Sequence, residues 1–431
     1  DRRGACQTAY QVLVASSPAL LQKDEADVWD SGRIESDRNI HVVYDGPELQ
    51  AREVYFWKVR TWDADVAPSP WSEPAWWEMG LLQREAWQAE WIGRASATGE
   101  REVSYLRGEF ELDAVPERAR LYITALGNYK ALVNGKKTSD DVFAPGWTDY
   151  DDRIMYRTLD VTDLLRVGKN ALGAALSEGW YCARLGWEEK EGRADLRPPR
   201  LMARLEVTCE DGSEHAFVTD ADWKCATGPI EAADFYDGES YDARLEMPGW
   251  AAGGFDDSGW EPTTVYADRG AEFCCQMDPP IREVEEITPV SVREQEPGKF
   301  IFDMGQNMVG YCRLRLSAPE GTEVTLRHAE VLQDDGSLYT ENLRKADAKD
   351  TYTAAGDGEE TYTPSFTYHG FRYVEVTGYP GTAETDALTG VVVHTDCEWT
   401  GELQTSSELV NGIYHNVRWG QRSNMHSVLT D

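Results

Sequence analysis

The chain has 431 residues, of which 41% are hydrophobic and 11% aromatic, a composition that excludes a disordered protein and predicts a packed one of about three domains. Acidic residues number 77 against 42 Lys and Arg, giving a formal net charge of −35. Such a charge repels phosphate groups, so we expect no nucleic-acid partner and no membrane partner, whereas a neutral sugar substrate is compatible with it.

Residues 1–88 are predicted to form a small antiparallel sandwich. Residues 55–62 alternate Tyr55, Trp57 and Val59 with polar and aromatic positions, which is the period of a half-buried strand. A proline-rich segment at 67–74 then precedes a second aromatic strand. The arrangement resembles a fibronectin type III module without its first strand, and we interpret its tryptophans as packing residues.

Residues 89–268 are predicted to form a jelly roll, because many short strands alternate with turns. Asn134-Gly135 is a strong hairpin signal, since both residues tolerate a positive φ, and Asp211-Gly212 follows the same logic. Strands are predicted at 121–125 and at 129–133, the second of which is followed by Asn134-Gly135. Strands at 201–207 and 215–218 flank Asp211-Gly212.

Two loops of this module, 145–150 and 178–181, are rich in aromatic and acidic residues. Jelly rolls often bind sugars at such loops, where an aromatic face meets the C–H face of a pyranose. The alternative, which we prefer on the sequence alone, is that Trp147 and Trp180 only cover the ends of the sandwich.

Residues 269–395 are predicted to form a second β-sandwich. Residues 300–316 are interpreted as two strands around a glycine-containing bend, and residues 365–376 as an aromatic strand pair. His369 is compatible with a ligand or a base, but a lone histidine among aromatics is more often a hydrogen-bonded packing residue, so it is assigned no chemistry. Phosphate-loop, serine-elbow and His-Glu-x-x-His motifs are all absent from the sequence.

Residues 396–431 change to a helical period. Leu409, Ile413 and Val417 recur at every fourth position, and Thr405 with Glu408 has capping-box spacing, which predicts a helix from near Ser406 to at least Arg422. A helix with one apolar stripe cannot bury that stripe alone. Because the first residue is also not Met, we expect a piece of a longer protein, cut at both ends; the alternative is a short C-terminal helix docked on a β-domain.

The eight cysteines include no Cys-x-x-Cys pair, so a zinc site has no support and no metal site is assigned. Several lie in apolar, strand-like runs. Buried free thiols are therefore expected, which favours a reducing, cytoplasmic compartment.

Several longer motifs, in this order along the chain, resemble the bacterial α-L-rhamnosidases that have an (α/α)-barrel catalytic domain. The resemblance implies a mainly β chain of tandem β-sandwich modules (fibronectin III-like, jelly roll, second β-sandwich), followed at 396–431 by the first helix of a truncated (α/α) barrel. The motifs lie at 55–62 with 71–74, 125–127 with 133–135, 144–150, 302–307 and 366–373.

The resemblance also implies hydrolysis of terminal α-L-rhamnose from glycosides or oligosaccharides with inversion. Inversion needs two carboxyl groups about 6.5–9.5 Å apart, and no cofactor is implied for it. The family's acid follows a Thr-Asp-Cys-Pro sequence, of which Thr430-Asp431 matches the first two letters. Asp431 is therefore expected to bind rhamnose hydroxyls, with both catalytic carboxyls beyond it, so no catalytic residue and no hydrolytic activity are expected within the chain.

Some members of that family bind rhamnose through a calcium-dependent jelly-roll module. The matching candidates here are Asn128, Trp147, Asp149 and Tyr150, and the ion would be structural or would bridge to the sugar. Ca²⁺ takes about six to eight oxygen ligands, and acids are so abundant in this sequence that composition points to no particular site.

Two other functions stay open on the sequence. One is a non-catalytic stack of β-modules that binds carbohydrate, and the other is a purely structural stalk. A continuation of the gene with Cys-Pro, a nearby Glu and a long helical region would select the enzyme, whereas a stop codon would select the binding protein.

Overall fold

The computed structural model describes residues 6–63, 67–95, 101–183, 185–186 and 197–430. Strands dominate it, so the mainly β fold predicted from the sequence is confirmed. The chain divides into two compact units, Asp1–Trp87 and Gln88–Asp431.

The first unit is built on one sheet of five antiparallel strands. Val54–Trp62 pairs with Ala9–Ala15 on one side and with Ala75–Glu78 on the other. Lys58 on this strand is buried, and its ammonium group bonds to the Leu21 carbonyl and the Asp24 carboxylate. The remaining elements are the strands Trp29–Asp30 and Ile34–Glu35, the short helix Pro18–Leu21 and the 3-10 turn Arg84–Ala86.

The second unit begins with a sandwich of two sheets, named here the second and third sheets. Leu106 and Leu172 of the second sheet share one core with Ile123 and Leu205 of the third. The second sheet contains Ser104–Leu112, Asn128–Val133, Lys136–Lys137, Gly168–Ser177, Lys224–Ala226 and Glu261–Pro262. The third contains Trp91–Gly93, Pro116–Leu126, Arg153–Asp160, Arg200–Cys209, Glu214–Val218, Thr264–Tyr266 and Glu272–Cys275.

Both hairpins predicted in this sandwich are confirmed. Asn134 and Gly135 have φ of 50° and 79°, and they join Asn128–Val133 to Lys136–Lys137. The second hairpin joins Arg200–Cys209 to Glu214–Val218, with Gly212 at φ 82°.

The fourth sheet has ten strands, and its longest strand corrects the sequence prediction. Lys299–Ser317 is one continuous strand rather than two, because the irregularity between Asp303 and Met308 shifts the register without ending the pairing. The Asp303 carboxylate accepts bonds from the Gly305 amide and from Arg372, which holds the bulge inside the strand. The predicted pair at 365–376 is likewise a single strand, His369–Thr377.

The other strands of the fourth sheet are Ile230–Asp234, Gly238–Asp242, Ile281–Ile287, Ser291–Glu296, Glu323–Ala329, Lys349–Thr353, Glu359–Tyr362 and Leu388–Thr395. Two small hairpins pair Val331–Leu332 with Leu338–Tyr339 and Met425–His426 with Val428–Leu429. Short helical turns lie at Thr162–Leu164, Gly179–Cys182, Ala243–Leu245, Glu341–Leu343 and Thr385–Ala387.

The two β regions of the second unit exchange strands across the boundary predicted at residues 268 and 269. Gly238–Asp242 joins the fourth sheet through parallel pairing with Lys349–Thr353. In the opposite direction, Glu272–Cys275 joins the third sheet through parallel pairing with Arg153–Asp160. The module boundaries therefore stay a prediction. At the boundary between residues 268 and 269, strands from each side pair with the sheet of the other side.

The helix predicted near the end of the chain is present as Glu408–Ser423. Its N-cap is Ser407, whose Oγ accepts the Val410 amide at 3.4 Å, so the capping box assigned to Thr405 is wrong. Thr405 Oγ1 instead accepts the Ser407 amide, and the Thr405 hydroxyl also bonds the side chain of Asn411. A hydroxyl engaged before the helix begins cannot cap the first turn.

One flank of this helix contacts the fourth sheet and another does not. Trp419 packs against the core of the sheet, and Arg422 donates to His394 Nε2 at 3.0 Å and to Glu285 at 2.7 Å. The predicted stripe is exposed, with Leu409 at 75%, Ile413 at 55% and Val417 at 61%.

The cysteines agree only in part with the prediction. Cys182, Cys209, Cys225 and Cys312 are buried free thiols, whereas Cys6 and Cys275 are exposed. Within the ranges given above, no helix combines the length and the apolar character that a bilayer-spanning segment needs.

Candidate functional site

Two adjoining cavities lie beside the loop at residues 145–150. Their volumes are about 640 Å³ and about 390 Å³. Trp147 and Trp180 form part of both walls. The larger cavity adds Asp149, Tyr150 and Tyr181, so three of the four residues predicted to bind carbohydrate, all but Asn128, lie together on it.

Backbone contacts fix the loop that carries Trp147. Gly146 has φ 102°, and a Cβ there would lie 2.6 Å from Ser427 Oγ, so only glycine fits. The Trp147 amide donates to that same Ser427 oxygen at 3.0 Å, and the Tyr150 hydroxyl donates to the Gly146 carbonyl at 2.9 Å. These contacts hold the backbone of the loop in one conformation, and this fixes the position of Trp147.

Trp180 forms the buried base beneath Trp147. It is 3% exposed and packs with Phe143 and Phe235, while the two indole rings are parallel within 6° at a centroid distance of 6.0 Å. The interpretation that tryptophans cover the sandwich end suits Trp180. Trp147 is only half-buried, so part of its surface is open to a ligand.

Asn128 lies in the interior and on neither cavity wall. It is fully buried, and a Cβ on Gly179 would meet its Oδ1 at 2.3 Å. Asn128 thus packs beneath the Gly179–Cys182 turn that carries Trp180. Asn128 therefore lines neither cavity, and the binding role predicted for it stays a prediction.

The charged groups at the larger cavity are Asp149, Asp151 and Arg197. Arg197 donates to Asp151 Oδ1 at 3.0 Å, and Arg269 lies 3.5 Å from the same oxygen. Among the residues with described positions, this wall offers two carboxylates, one of them already paired with two guanidinium groups. Two carboxylates supply part of the roughly six to eight oxygens of a Ca²⁺ site, and backbone carbonyls or water would have to supply the rest.

The small hairpin at the end of the chain closes one side of both cavities. Val428 lines the larger cavity and Thr430 the smaller. The hairpin is anchored by His426, whose Nε2 lies 3.0 Å from the Val393 carbonyl and whose ring stacks on Tyr368 at 4.4 Å. Burial lowers the pKa of His426 to about 4, so this anchor is neutral at physiological pH. Asp431, the predicted rhamnose ligand, lies outside the described residues.

His369 lines the smaller cavity and is hydrogen-bonded among aromatics, as expected from the sequence. Its Nε2 is 3.0 Å from Asp350 Oδ1, and its ring stacks on His328 at 4.3 Å. Burial lowers the pKa of His328 to about 3. His328 Nε2 also faces Asp350, at 3.9 Å from Oδ2, so the ligand atoms of His328, Asp350 and His369 lie within 4.8 Å of one another. The sequence assigned no metal here, and that assignment stays a prediction.

Sequence reasoning missed the partners that distant segments bring to this site. Arg197 and Val428 line the larger cavity, although neither belongs to a motif. Phe235 and Tyr368 reach the smaller cavity from other parts of the chain. Tyr368 belongs to the 366–373 motif, but no local pattern joins Tyr368 or Phe235 to Trp147, because only tertiary packing brings these residues together.

Three family models match the chain in order. A Rha78A-like N-terminal immunoglobulin domain covers residues 1–83, an alpha-L-rhamnosidase N-terminal domain covers 114–285, and a bacterial alpha-L-rhamnosidase concanavalin-like domain covers 293–394. The chain belongs to the bacterial α-L-rhamnosidase family. The immunoglobulin-like and concanavalin-like descriptions are consistent with the sandwich modules predicted from the sequence.

Curated relatives of the chain are longer than it is. An α-L-rhamnosidase of Streptomyces avermitilis is 35% identical, with 99% of this chain and 58% of the relative covered. An α-L-rhamnosidase of Formosa agariphila is 38% identical, with 99% and 47% covered. The chain therefore spans about half the length of the curated relatives it matches.

Solved α-L-rhamnosidase structures share this fold. The enzyme from Dictyoglumus thermophilum superposes with a TM-score of 0.92 at 38% identity, covering 100% of this chain and 49% of that one. The Streptomyces avermitilis enzyme, solved in complex with L-rhamnose, gives 0.89 at 34% identity, covering 99% and 58%. The family resemblance inferred from sequence motifs is thereby confirmed.

Proposed function

We propose that this chain is the β-rich part of an α-L-rhamnosidase that removes terminal α-L-rhamnose from glycosides with inversion. The observation that carries the proposal is the superposition on a rhamnosidase at 38% identity over the whole chain. The catalytic acid and base are proposed to lie outside these 431 residues, since the motif that precedes the acid is matched here only by Thr430-Asp431.

Within that enzyme, the two cavities would contact the rhamnoside. The half-buried face of Trp147 suits the C–H face of a pyranose, and the Asp149 carboxylate beside it can accept hydroxyl hydrogen bonds. Thr430 on the wall of the smaller cavity leads to Asp431, for which we keep the role of rhamnose ligand. These residues would bind and orient the sugar, and none of them forms or breaks a bond.

Hydrolysis of p-nitrophenyl α-L-rhamnoside tests this proposal. The full-length product of the gene that encodes this chain should release p-nitrophenol, and a polypeptide of residues 1–431 should not. Turnover by residues 1–431 would overturn the placement of the acid and base. A folded full-length product that leaves the substrate intact would overturn the function.

The second candidate is a carbohydrate-binding protein without catalysis. It is favoured by the larger cavity, which combines an aromatic wall with carboxylates and needs no general acid. Rhamnose binding by a full-length product that hydrolyses no rhamnoside would select it.

Calcium remains a prediction from the resemblance, either as a structural ion or as a bridge to the sugar. Asp149 and Asp151 on the wall of the larger cavity are the carboxylates that such a site would use there. Calorimetric titration with L-rhamnose separates the cases, because a calcium-dependent site loses its heat of binding in EDTA and regains it when calcium is restored.

We also propose a cytoplasmic location, supported by the four buried free thiols. Differential thiol labelling of the protein in intact cells tests it, since an oxidising compartment would leave the exposed Cys6 and Cys275 partly oxidised.

A further inference from the structure

A third cavity, of about 520 Å³, lies between the second and fourth sheets. It shares no described lining residue with the two cavities beside Trp147. Its floor includes the buried rings of Phe143, Tyr311 and Phe366. This volume falls within the range of small-ligand sites and suits one or two sugar rings.

The charge of this cavity differs from that of the chain. Four cations line it (Lys130, Lys137, Arg282 and Arg313) against three acids (Asp140, Asp141 and Glu283). Across the whole chain, acids outnumber Lys and Arg by 77 to 42. Both arginines are already paired, Arg282 with Asp396 at 3.1 Å and Arg313 with Glu286 at 2.6 Å. Among the described residues, the two lysines are therefore the cations of this cavity outside ion pairs.

Lys130 is the more buried of the two lysines that line this cavity. Its Nζ lies 3.4 Å from Ser365 Oγ, and the part of the chain that the structure describes gives it no ion pair with a carboxylate. Burial, and then the nearby Lys137 ammonium, hold the pKa of Lys130 below its ordinary value. A partly buried ammonium group of this kind is stabilised by an anion that enters the cavity.

The two carboxylates that interact electrostatically with Lys130, those of Glu239 and Glu283, each accept hydrogen bonds from other groups. Glu239 Oε2 accepts the amides of Ser365 and Phe366 at 2.9 and 3.0 Å. Glu283 Oε1 accepts the Tyr311 hydroxyl at 2.7 Å. Neither carboxylate neutralises Lys130 by direct contact.

Strand geometry explains why Lys130 faces this cavity and Lys136 does not. Lys137 pairs with Leu132, which shares a strand face with Lys130, so both lysines project to the same side. Lys136 pairs with Val133 on the opposite face and is exposed. Lys136 therefore supplies a matched control in the same hairpin.

We propose that this third cavity binds a carboxylate-bearing sugar, a hexuronic acid, with the Lys130 ammonium pairing its carboxylate over the aromatic floor. The anionic character of the ligand rests on Lys130 and Lys137, the two cations of this cavity that form no ion pair among the described residues. The choice of a sugar rests on the proposed function, because a rhamnosidase would meet acidic units when its substrate is an acidic oligosaccharide.

Calorimetry with three probes tests the proposal, using the chain at low ionic strength. Glucuronate should bind, while glucose, which lacks the carboxylate, and acetate, which lacks the ring, should bind at least tenfold more weakly. If glucose bound as tightly as glucuronate, the proposed pairing of Lys130 with a carboxylate would be wrong. If acetate bound as tightly as glucuronate, the proposed recognition of a sugar ring would be wrong. No binding of glucuronate would overturn the whole proposal.

Variants locate the binding site. Lys130→Met should weaken glucuronate binding at least tenfold, Lys130→Arg should retain most of it, and Lys136→Met should leave it unchanged. Should Lys130→Met fail to fold, the NMR signals of the Lys130 side chain in the unaltered chain should still shift with glucuronate, and signals that do not move would contradict the proposal.

The test of glucuronate binding can be distinguished from the test of the proposed rhamnosidase function. Hydrolysis of p-nitrophenyl α-L-rhamnoside, which carries no carboxylate, should be the same for the full-length product and its Lys130→Met variant. A loss of glucuronate binding with unchanged hydrolysis therefore reports on the third cavity alone.

Discussion

The strand Leu388–Thr395 and the helix Glu408–Ser423 are near neighbours in sequence but bury their apolar residues very differently. Val391, Val392 and Val393 in the strand are at most 1% exposed, whereas the helix has no buried residue. Similar aliphatic side chains thus stabilise the first element and contribute little to the second within this chain.

The comparison identifies what holds the C-terminal segment in place. A helix of this length is marginal in water without packing. Its contacts with the fourth sheet come from Trp419, from Arg422 and from His415, whose Nε2 lies 3.2 Å from Gln306 Oε1. The hairpin that follows is anchored by His426. The hairpin, which lines both cavities beside Trp147, therefore depends on a few polar and aromatic contacts rather than on the apolar stripe.

The sharpest test of this difference compares alanine variants of two leucines, Leu314 in the core of the fourth sheet and Leu409 on the exposed stripe of the helix. Leu314→Ala removes a 1% exposed side chain from the core of the fourth sheet and should lower the free energy of unfolding by about 2–5 kcal/mol. Urea denaturation measures the loss. A change below about 1 kcal/mol would contradict the assignment of this core.

Lowering the pH should weaken the docking of the C-terminal hairpin, because His426 becomes protonated. The folded pKa of about 4 lies below the ordinary value near 6.5, so docking is fully stable above pH 6.5 and weakens as pH falls toward 4. The loss should reach about 3 kcal/mol, and hydrogen exchange of residues 425–430, corrected for intrinsic rates, should report it. His426→Gln should remove the pH dependence, and equal protection at pH 7 and pH 4.5 in the unaltered chain would contradict it.

The helix cap should have a smaller effect. Ser407→Ala removes the oxygen that accepts the Val410 amide and should destabilise the first helical turn by about 1 kcal/mol. Hydrogen exchange over residues 408–412 measures the change. Ser406→Ala, which alters the neighbouring exposed serine, is the control, and equal effects of the two variants would reject Ser407 as the cap.

The smallest effect is expected at the other leucine of the pair. Leu409→Ala should change the free energy of unfolding by less than about 0.5 kcal/mol, because the side chain is 75% exposed. A loss comparable to that of Leu314→Ala would mean that the stripe is buried in solution.

Local patterns predicted much of this fold. Alternation identified the strand Val54–Trp62, two glycine turns identified hairpins, and the four-residue spacing identified the C-terminal helix. These elements follow from interactions between residues close in sequence. The continuous strand Lys299–Ser317 was missed because pairing with distant strands, rather than its glycines, decides where it ends.

The candidate site was predictable only where the chain supplies it in one piece. Trp147, Asp149 and Tyr150 share a loop, so their aromatic and acidic composition was visible in the sequence. The burial of Asn128 beneath Gly179 was not visible, because it depends on a turn about fifty residues away. The bond from the Trp147 amide to Ser427 joins positions 280 residues apart and likewise has no local signal.

Titration of L-rhamnose into the chain, with Trp147→Ala and Trp399→Ala beside it, tests the central claim most directly. Trp147 lines both neighbouring cavities, while Trp399 is 43% exposed and lines neither. Saturable heat of binding in the unaltered chain and in Trp399→Ala, with at least tenfold weaker binding in folded Trp147→Ala, is the predicted result. Absence of binding, or equal binding by both variants, would contradict a rhamnose contact at this site.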